Sequence, residues 1–122
     1  MTGVNEIRMA TKHTTIDYIL DQLASAGDVS ARKMFGEYAL YCDGKVVGLV
    51  CDDTLYVKIT DEGKKFVGKY YEEGYAYNGA KVSIKIDEDH IDDREWLSEL
   101  IEITASHLPM PKKKKKKGKK TI

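Results

Sequence analysis

The sequence predicts a two-layer α+β domain: an antiparallel sheet of about five strands with helices packed on one face. The order is helix, three strands, helix, two strands, helix. Three observations carry this. Apolar residues recur at helical spacing near both ends, as Ile16, Ile19, Leu20 and Leu23 and as Trp96, Leu97, Leu100, Ile101, Thr104 and Leu108. Between them lie short runs rich in Val, Leu, Ile and Tyr. Asp43-Gly44 joins two such runs, and Asp-Gly is a strong hairpin signal because both central residues need positive φ.

The first helix is expected over 15–26, with Thr14 as N-cap and Gly27 at the position that ends it. Three strands are expected over 37–42, 45–51 and 55–59. A two-residue Asp43-Gly44 loop pairs Cys42 with Lys45, Leu40 with Val47 and Tyr38 with Leu49, and paired residues share a face. Tyr38, Leu40, Val47 and Leu49 are then the core side. Cys42 and Cys51 lie on that side at opposite ends, about 20 Å apart at the usual strand rise, too far for a disulfide. The second turn is expected to take three residues, Asp52-Asp53-Thr54, because two would send Leu55 and Val57 to the wrong face. A short helix over 61–69, capped by Thr60, is weakened by Gly63 and Gly68. An edge strand near 75–77 and a strand over 81–86 follow. The last helix spans 92–107 and stops at Pro109.

With 122 residues and 42% hydrophobic content, the chain can build one core. The expected division is a flexible leader over 1–13, a folded domain over 14–109 and a disordered lysine-rich tail over 110–122. Met9 is an alternative start. There is no apolar run of about 18 residues to span a membrane, and the first residues lack the apolar centre of a secretory signal. A cytoplasmic location is expected, where reduced cysteines are the rule. The formal net charge of zero conceals a division: twelve basic and twenty acidic residues precede Lys112, and eight lysines follow.

Ala31-Arg32-Lys33-Met34-Phe35-Gly36-Glu37-Tyr38 runs into Leu40-Tyr41-Cys42-Asp43-Gly44-Lys45, and Leu49-Val50-Cys51-Asp52-Asp53 follows within 47–58. This resembles the N-terminal domain of the TfoX (Sxy) competence-regulator family over roughly 14–108. The Met-Phe-Gly stretch leading into a strand and an Asp-Gly turn is its best marker, and the helix start near Ile91-Asp92-Asp93 is similar too. The resemblance implies an antiparallel sheet with helices packed on it, and an association with regulating DNA uptake and competence genes. Full-length regulators of the family carry a second, helical domain with no counterpart here, so a stand-alone copy is expected. The stretch 75–86 lacks the prolines of the family pattern.

Catalytic and metal sites are not expected. His13, His90 and His107 lack metal-ligand spacing, and two isolated cysteines make no zinc knuckle. No nucleophile elbow or phosphate-binding glycine loop occurs. The acids over 87–93 place Asp92 and Ser98 where a calcium loop needs Gly and Glu, so they read as acids gathered at a helix N-terminus. Tyr70, Tyr71, Tyr75 and Tyr77 are interleaved with Glu72 and Glu73, which oppose phosphate; a tyrosine-lined wall with wet hydroxyls fits them better. Met34 and Phe35 read as core anchors and Gly36 as a backbone constraint.

The outer sheet face is expected to show Ala39, Tyr41, Val46, Gly48, Val50 and Tyr56, apolar for a solvent face and so a candidate partner surface. Arg32 and Lys33 are candidate contacts to an acidic partner. The expected function is a non-enzymatic regulatory or protein-interaction module, without cofactors, meeting a protein partner or a second copy through this face. The alternative is an accessory protein binding DNA or RNA without sequence preference through its polylysine tail: Lys112, Lys113, Lys114, Lys115, Lys116, Lys117, Lys119 and Lys120. Solvation of the tail, or its return to the acidic body, are further readings.

Overall fold

A computed structural model describes residues 11–34 and 37–109. The expected α+β class is observed: a six-stranded antiparallel sheet with four helices. The strands are β1 (Val29–Met34), β2 (Glu37–Cys42), β3 (Lys45–Cys51), β4 (Thr54–Val57), β5 (Glu73–Tyr75) and β6 (Val82–Lys85), in the spatial order β1-β2-β3-β4-β6-β5. The helices are α1 (His13–Gln22), α2 (Asp61–Val67), α3 (Glu88–Ile91) and α4 (Arg94–His107), with a 3-10 turn over Gly68–Tyr70. The first four strands form a meander. β6 then joins the exposed side of β4, and β5 lies outside β6.

The two long helices, α1 and α4, cover the sheet with their apolar stripes. Ile16, Ile19 and Leu23 of the α1 region and Leu97, Leu100 and Ile101 of α4 meet Leu40, Val47, Val50, Leu55, Val57 and Ile84 from the strands. Thr60 caps α2 by accepting from the Gly63 amide at 2.9 Å. Gly63 is buried, and a side chain there would meet Thr60, Leu100 and Thr104. The helix-weakening glycine therefore lets α2 lie close against α4. The acids gather at helix starts as the sequence predicts, but at two rather than one: Asp87 caps α3, a helix the sequence reading did not include, and Asp93 caps α4.

α1 starts earlier than expected. Thr14 is not its cap; Asp53 from the distant β3–β4 turn accepts from the Lys12 amide at 2.9 Å and the Thr15 hydroxyl at 2.8 Å. Thr11 completes this junction, receiving the Asp53 amide and reaching Glu37 and the Val50 carbonyl.

The hairpin register begins as expected, with Cys42 opposite Lys45, and Tyr41 opposite Val46, then shifts. Leu40 faces Gly48 and Tyr38 faces Val50, leaving Val47 as the extra residue of a β-bulge. The expected pairs Leu40 with Val47 and Tyr38 with Leu49 do not form. The second turn is the two-residue loop Asp52-Asp53, both at positive φ (53° and 62°), with Cys51 opposite Thr54. The residue that brings Leu55 and Val57 to the core side is therefore in β3, not in the turn. Gly48 makes the bulge possible: a Cβ on it would lie 2.3 Å from the Tyr56 carbonyl oxygen. Beyond the bulge the faces exchange. Val50 is fully buried in the core, and Leu49 turns outward beside Cys51.

Candidate interaction face

All four helices lie on one side of the sheet, and the register defines the other side. Arg32 pairs with Ala39, Tyr41 with Val46, Ala39 with Leu49, Leu49 with Tyr56, and Tyr56 with Lys85. Because paired residues share a face, these side chains form a continuous outer surface across five strands. Tyr41, Val46, Leu49 and Tyr56 are partly exposed, Arg32 is exposed, and Ala39 is sealed beneath its neighbours. The Arg32 guanidinium sits 5.5 Å from the Tyr41 ring centre, over its face. The Tyr56 ring and the Lys85 stem lie against Gly74 of β5, where an added Cβ would come within 3.1 Å of the ring. Met34, expected as a core anchor, is instead 38% exposed at the end of the edge strand β1. Phe35 and Gly36 lie outside the described residues.

Of the residues predicted to form a partner surface, Arg32, Tyr41, Val46 and Tyr56 come together here. Two do not. Lys33 pairs with Tyr38 and so points to the helix side of β1. Val50 is buried because of the bulge and offers nothing to a partner. Leu49 and Lys85 belong to the face and escaped the sequence reading. The lone glycine inside the β3 run was the available signal for Leu49, because an isolated strand glycine often marks a bulge. Lys112–Lys120 lie outside the described residues.

Carboxylates stand at both ends of the sheet. Glu37 and Asp52 lie at the end of the β3–β4 turn, Glu72 lies in the row of Lys85 and Tyr56, and Asp28 and Asp43 lie beyond Tyr41 and Val46. Burial, then the nearby Glu37 and Asp52 carboxylates, pushes the Cys51 thiol up to about 11. Burial raises the Tyr56 hydroxyl, with Cys51, Asp52 and Glu72 contributing. Glu37 is engaged there, accepting from the Thr11 hydroxyl at 2.7 Å and the Asp52 amide at 3.0 Å. At the opposite end are Tyr41, Val46 and Lys58. There a recess of about 190 Å³ is lined by Lys45, Val46, Lys58, Leu108 and Pro109, with no acid among them. Lys45 donates to the Ala105 carbonyl at 2.7 Å, placing a cation on the last turn of α4. Leu108 and Pro109, which follow α4, thus lie beside Val46 and Lys58.

Several titratable groups elsewhere are held in structural contacts. The Cys42 thiol, buried and near Asp43 and Glu102, is also pushed up to about 11, so neither cysteine forms a thiolate readily near neutrality. Cys42 lies on the core side and Cys51 on the outer side of the sheet, both as free thiols. His90 packs between Tyr70 and Trp96, and its Nδ1 is 2.6 Å from Asp87. Among the described residues no group of three His, Cys, Asp or Glu side chains is placed to hold a metal ion, and no helix is long and apolar enough to cross a membrane.

Comparison with known proteins gives three findings. The family model of the TfoX N-terminal domain matches residues 21–108. An uncharacterized 12.7 kDa protein in the trpE 5′ region of Spirochaeta aurantia is 39% identical over 111 residues, covering 91% of this chain and 95% of that protein. Protein Sxy of Escherichia coli strain K12 is 25% identical over 80 residues, covering 66% of this chain and 38% of Sxy.

Proposed function

We propose, from the premise that this chain belongs to the TfoX N-terminal domain family, that it is a regulatory module of the competence-regulator kind, acting by docking rather than by catalysis. The observation that carries this reading is the outer sheet face, over which no helix or strand among the described residues packs, and where Tyr41, Val46, Leu49 and Tyr56 are partly exposed together. Apolar side chains gathered on one sheet face are a common feature of partner surfaces. The environments of the two thiols add to it: neither is primed as a nucleophile. Only the part of Sxy that this chain matches bears on the proposal, and that part is 38% of Sxy's length.

The test is a deletion strain of the native host complemented with the wild-type chain or with Leu49→Gln, a change that keeps the strand but makes the face polar. Transcripts of DNA-uptake genes should fall on deletion, return with the wild-type chain, and return only in part with a Leu49→Gln protein of unchanged melting temperature. Transcripts indifferent to the deletion refute the regulatory reading.

A second reading is non-specific nucleic-acid contact by Lys112–Lys120, and the position of Pro109 beside Lys45 and Lys58 favours it. If all eight lysines engage duplex DNA, log K falls against log salt with a slope of about −7. Removing residues 111–122 should then abolish binding; binding that survives the deletion, or none at low salt, defeats this reading.

A further inference from the structure

We propose that strand β1 is a self-complementary edge, and that two copies of this chain pair through it, antiparallel about Ala31, into one continuous sheet. The surface concerned is the rim of the sheet rather than its outer face. Three observations carry the pairing.

The first is the edge itself. Of the two strands that end the sheet, β5 has three residues and β1 has six. β1 contains no proline, and its register with β2 runs unbroken from Val29–Cys42 to Met34–Glu37, without a bulge. Shortness, proline and bulges are common devices by which an edge avoids a second chain, and β1 has none of them. Among the described residues no strand lies beyond it.

The second is the phase of its hydrogen bonds. The Asp43 amide donates to the Asp28 carbonyl at 2.9 Å, and the Asp43 carboxylate accepts from the Asp28 amide at 3.0 Å. Both backbone groups of Asp28 therefore point to the β2 side. Bonded and non-bonded pairs alternate along an antiparallel ladder. Ser30, Arg32 and Met34 are then the residues bonded to β2, and Val29, Ala31 and Lys33 turn their amides and carbonyls outwards. A second copy can bond outward residues only to outward residues. With Ala31 opposite its own image, Val29 falls opposite Lys33 and Lys33 opposite Val29, so all three are used. Sliding the copies by two residues either way leaves one of the three without a partner in β1.

The third is charge. Edge charges also keep strands apart, and β1 carries Arg32 and Lys33. Paired residues share a face, so in this register Arg32 lies opposite Ser30, and Lys33, on the helix side, lies opposite Val29. Each Lys33 is about 13 Å along the strand from its image at the usual rise. Asp28, which is exposed, becomes a diagonal neighbour of the second copy's Arg32. Arg32 is also diagonal to its own image, but its guanidinium is drawn back over Tyr41 of β2, 5.5 Å from the ring centre. A slide in one direction would set Arg32 directly opposite Arg32, which is destabilising. Hydrogen-bond phase and charge thus select the same register. The twofold axis at Ala31 makes the contact isologous. It leaves the helices of both copies on one side of the joined sheet and brings the two Arg32–Tyr41 rows together on the other.

The test is sedimentation velocity of the full chain across a concentration series, with variants that read the register. The wild-type chain should pass from monomer to dimer as concentration rises. Ala31→Pro removes an outward amide and no bond to β2, and proline is tolerated on edge strands; it should keep the monomer's circular dichroism and lose the dimer. Ala31→Cys reads the same axis without a proline in the strand. The Cα atoms of a bonded pair are about 5.5 Å apart, within disulfide reach. Mild oxidation should therefore join Ala31→Cys chains in pairs, and should leave Ser30→Cys, Arg32→Cys and the wild-type chain, with its buried thiols, as single chains. A wild-type chain that stays monomeric at every concentration overturns the proposal. So does a dimer that survives Ala31→Pro, or one that cross-links through Ser30→Cys or Arg32→Cys as readily as through Ala31→Cys.

Discussion

The substitution Gly48→Ala tests the bulge on which the outer face depends. The new Cβ would sit 2.3 Å from the Tyr56 carbonyl oxygen, far inside the roughly 3.5 Å of comfortable non-bonded contact. The obstacle is backbone of the neighbouring strand, so no rotamer change relieves it. β3 and β4 must separate, stretching the adjacent bond from the Lys58 amide to the Val47 carbonyl, now 2.8 Å. Overpacking of this kind costs about 1–3 kcal/mol, and a lost ladder bond adds about 1 kcal/mol. Alanine would otherwise stabilise by about 0.4–1 kcal/mol through a stiffer unfolded chain. The expected net loss is about 2–3 kcal/mol, or about 10–20 °C in melting temperature for a domain of this size. Urea unfolding followed by circular dichroism measures it, with Gly44→Ala as control. That turn glycine has φ +85° and open space around its Cβ position, so alanine there costs only left-handed strain of about 1–2 kcal/mol. A Gly48→Ala protein with a wild-type urea midpoint would refute the bulge and with it the outward placement of Leu49.

Asp53→Ala should cost about 0.5–2 kcal/mol in urea unfolding, as for loss of a helix cap; Asp53→Asn, which can still accept from Lys12 and Thr15, should stay close to wild type. Burial opposes ionisation of Asp87, but the His90 amide and ring outweigh it and hold the carboxyl below its usual value. A depressed folded pKa contributes stability above the unfolded value of about 3.9 that is lost as pH falls through the folded one, so Asp87→Asn should flatten the acid limb of a stability–pH curve below about pH 4. With both thiols pushed up to about 11, a disulfide-exchange reagent at neutral pH should label neither in the native chain and both in urea; fast native labelling would show that the face opens. Gly74→Ala meets only the Tyr56 ring edge and the Lys85 stem, so it should cost less than Gly48→Ala, and equal losses in urea unfolding would count against this packing.

Local chemistry was legible where it acts through neighbours in sequence. The stripe Ile16, Ile19, Leu23 and the run Leu97, Leu100, Ile101 announced their helices, Thr60 its cap, and Asp43-Gly44 its turn. What depends on two segments meeting was not. Strand β1 went unread because Ser30-Ala31-Arg32-Lys33-Met34 is the exposed margin of the sheet and carries no buried alternation of its own. The α1 cap comes from Asp53, thirty-eight or more residues away. The bulge arises from a close approach of β3 to β4, so simple alternation from Asp43-Gly44 placed Leu49 inside and Val50 outside, the reverse of the structure. Most of the candidate face survived that error, because Arg32, Tyr41 and Val46 lie on the near side of the shift or on other strands, and Tyr56 takes its place from β4.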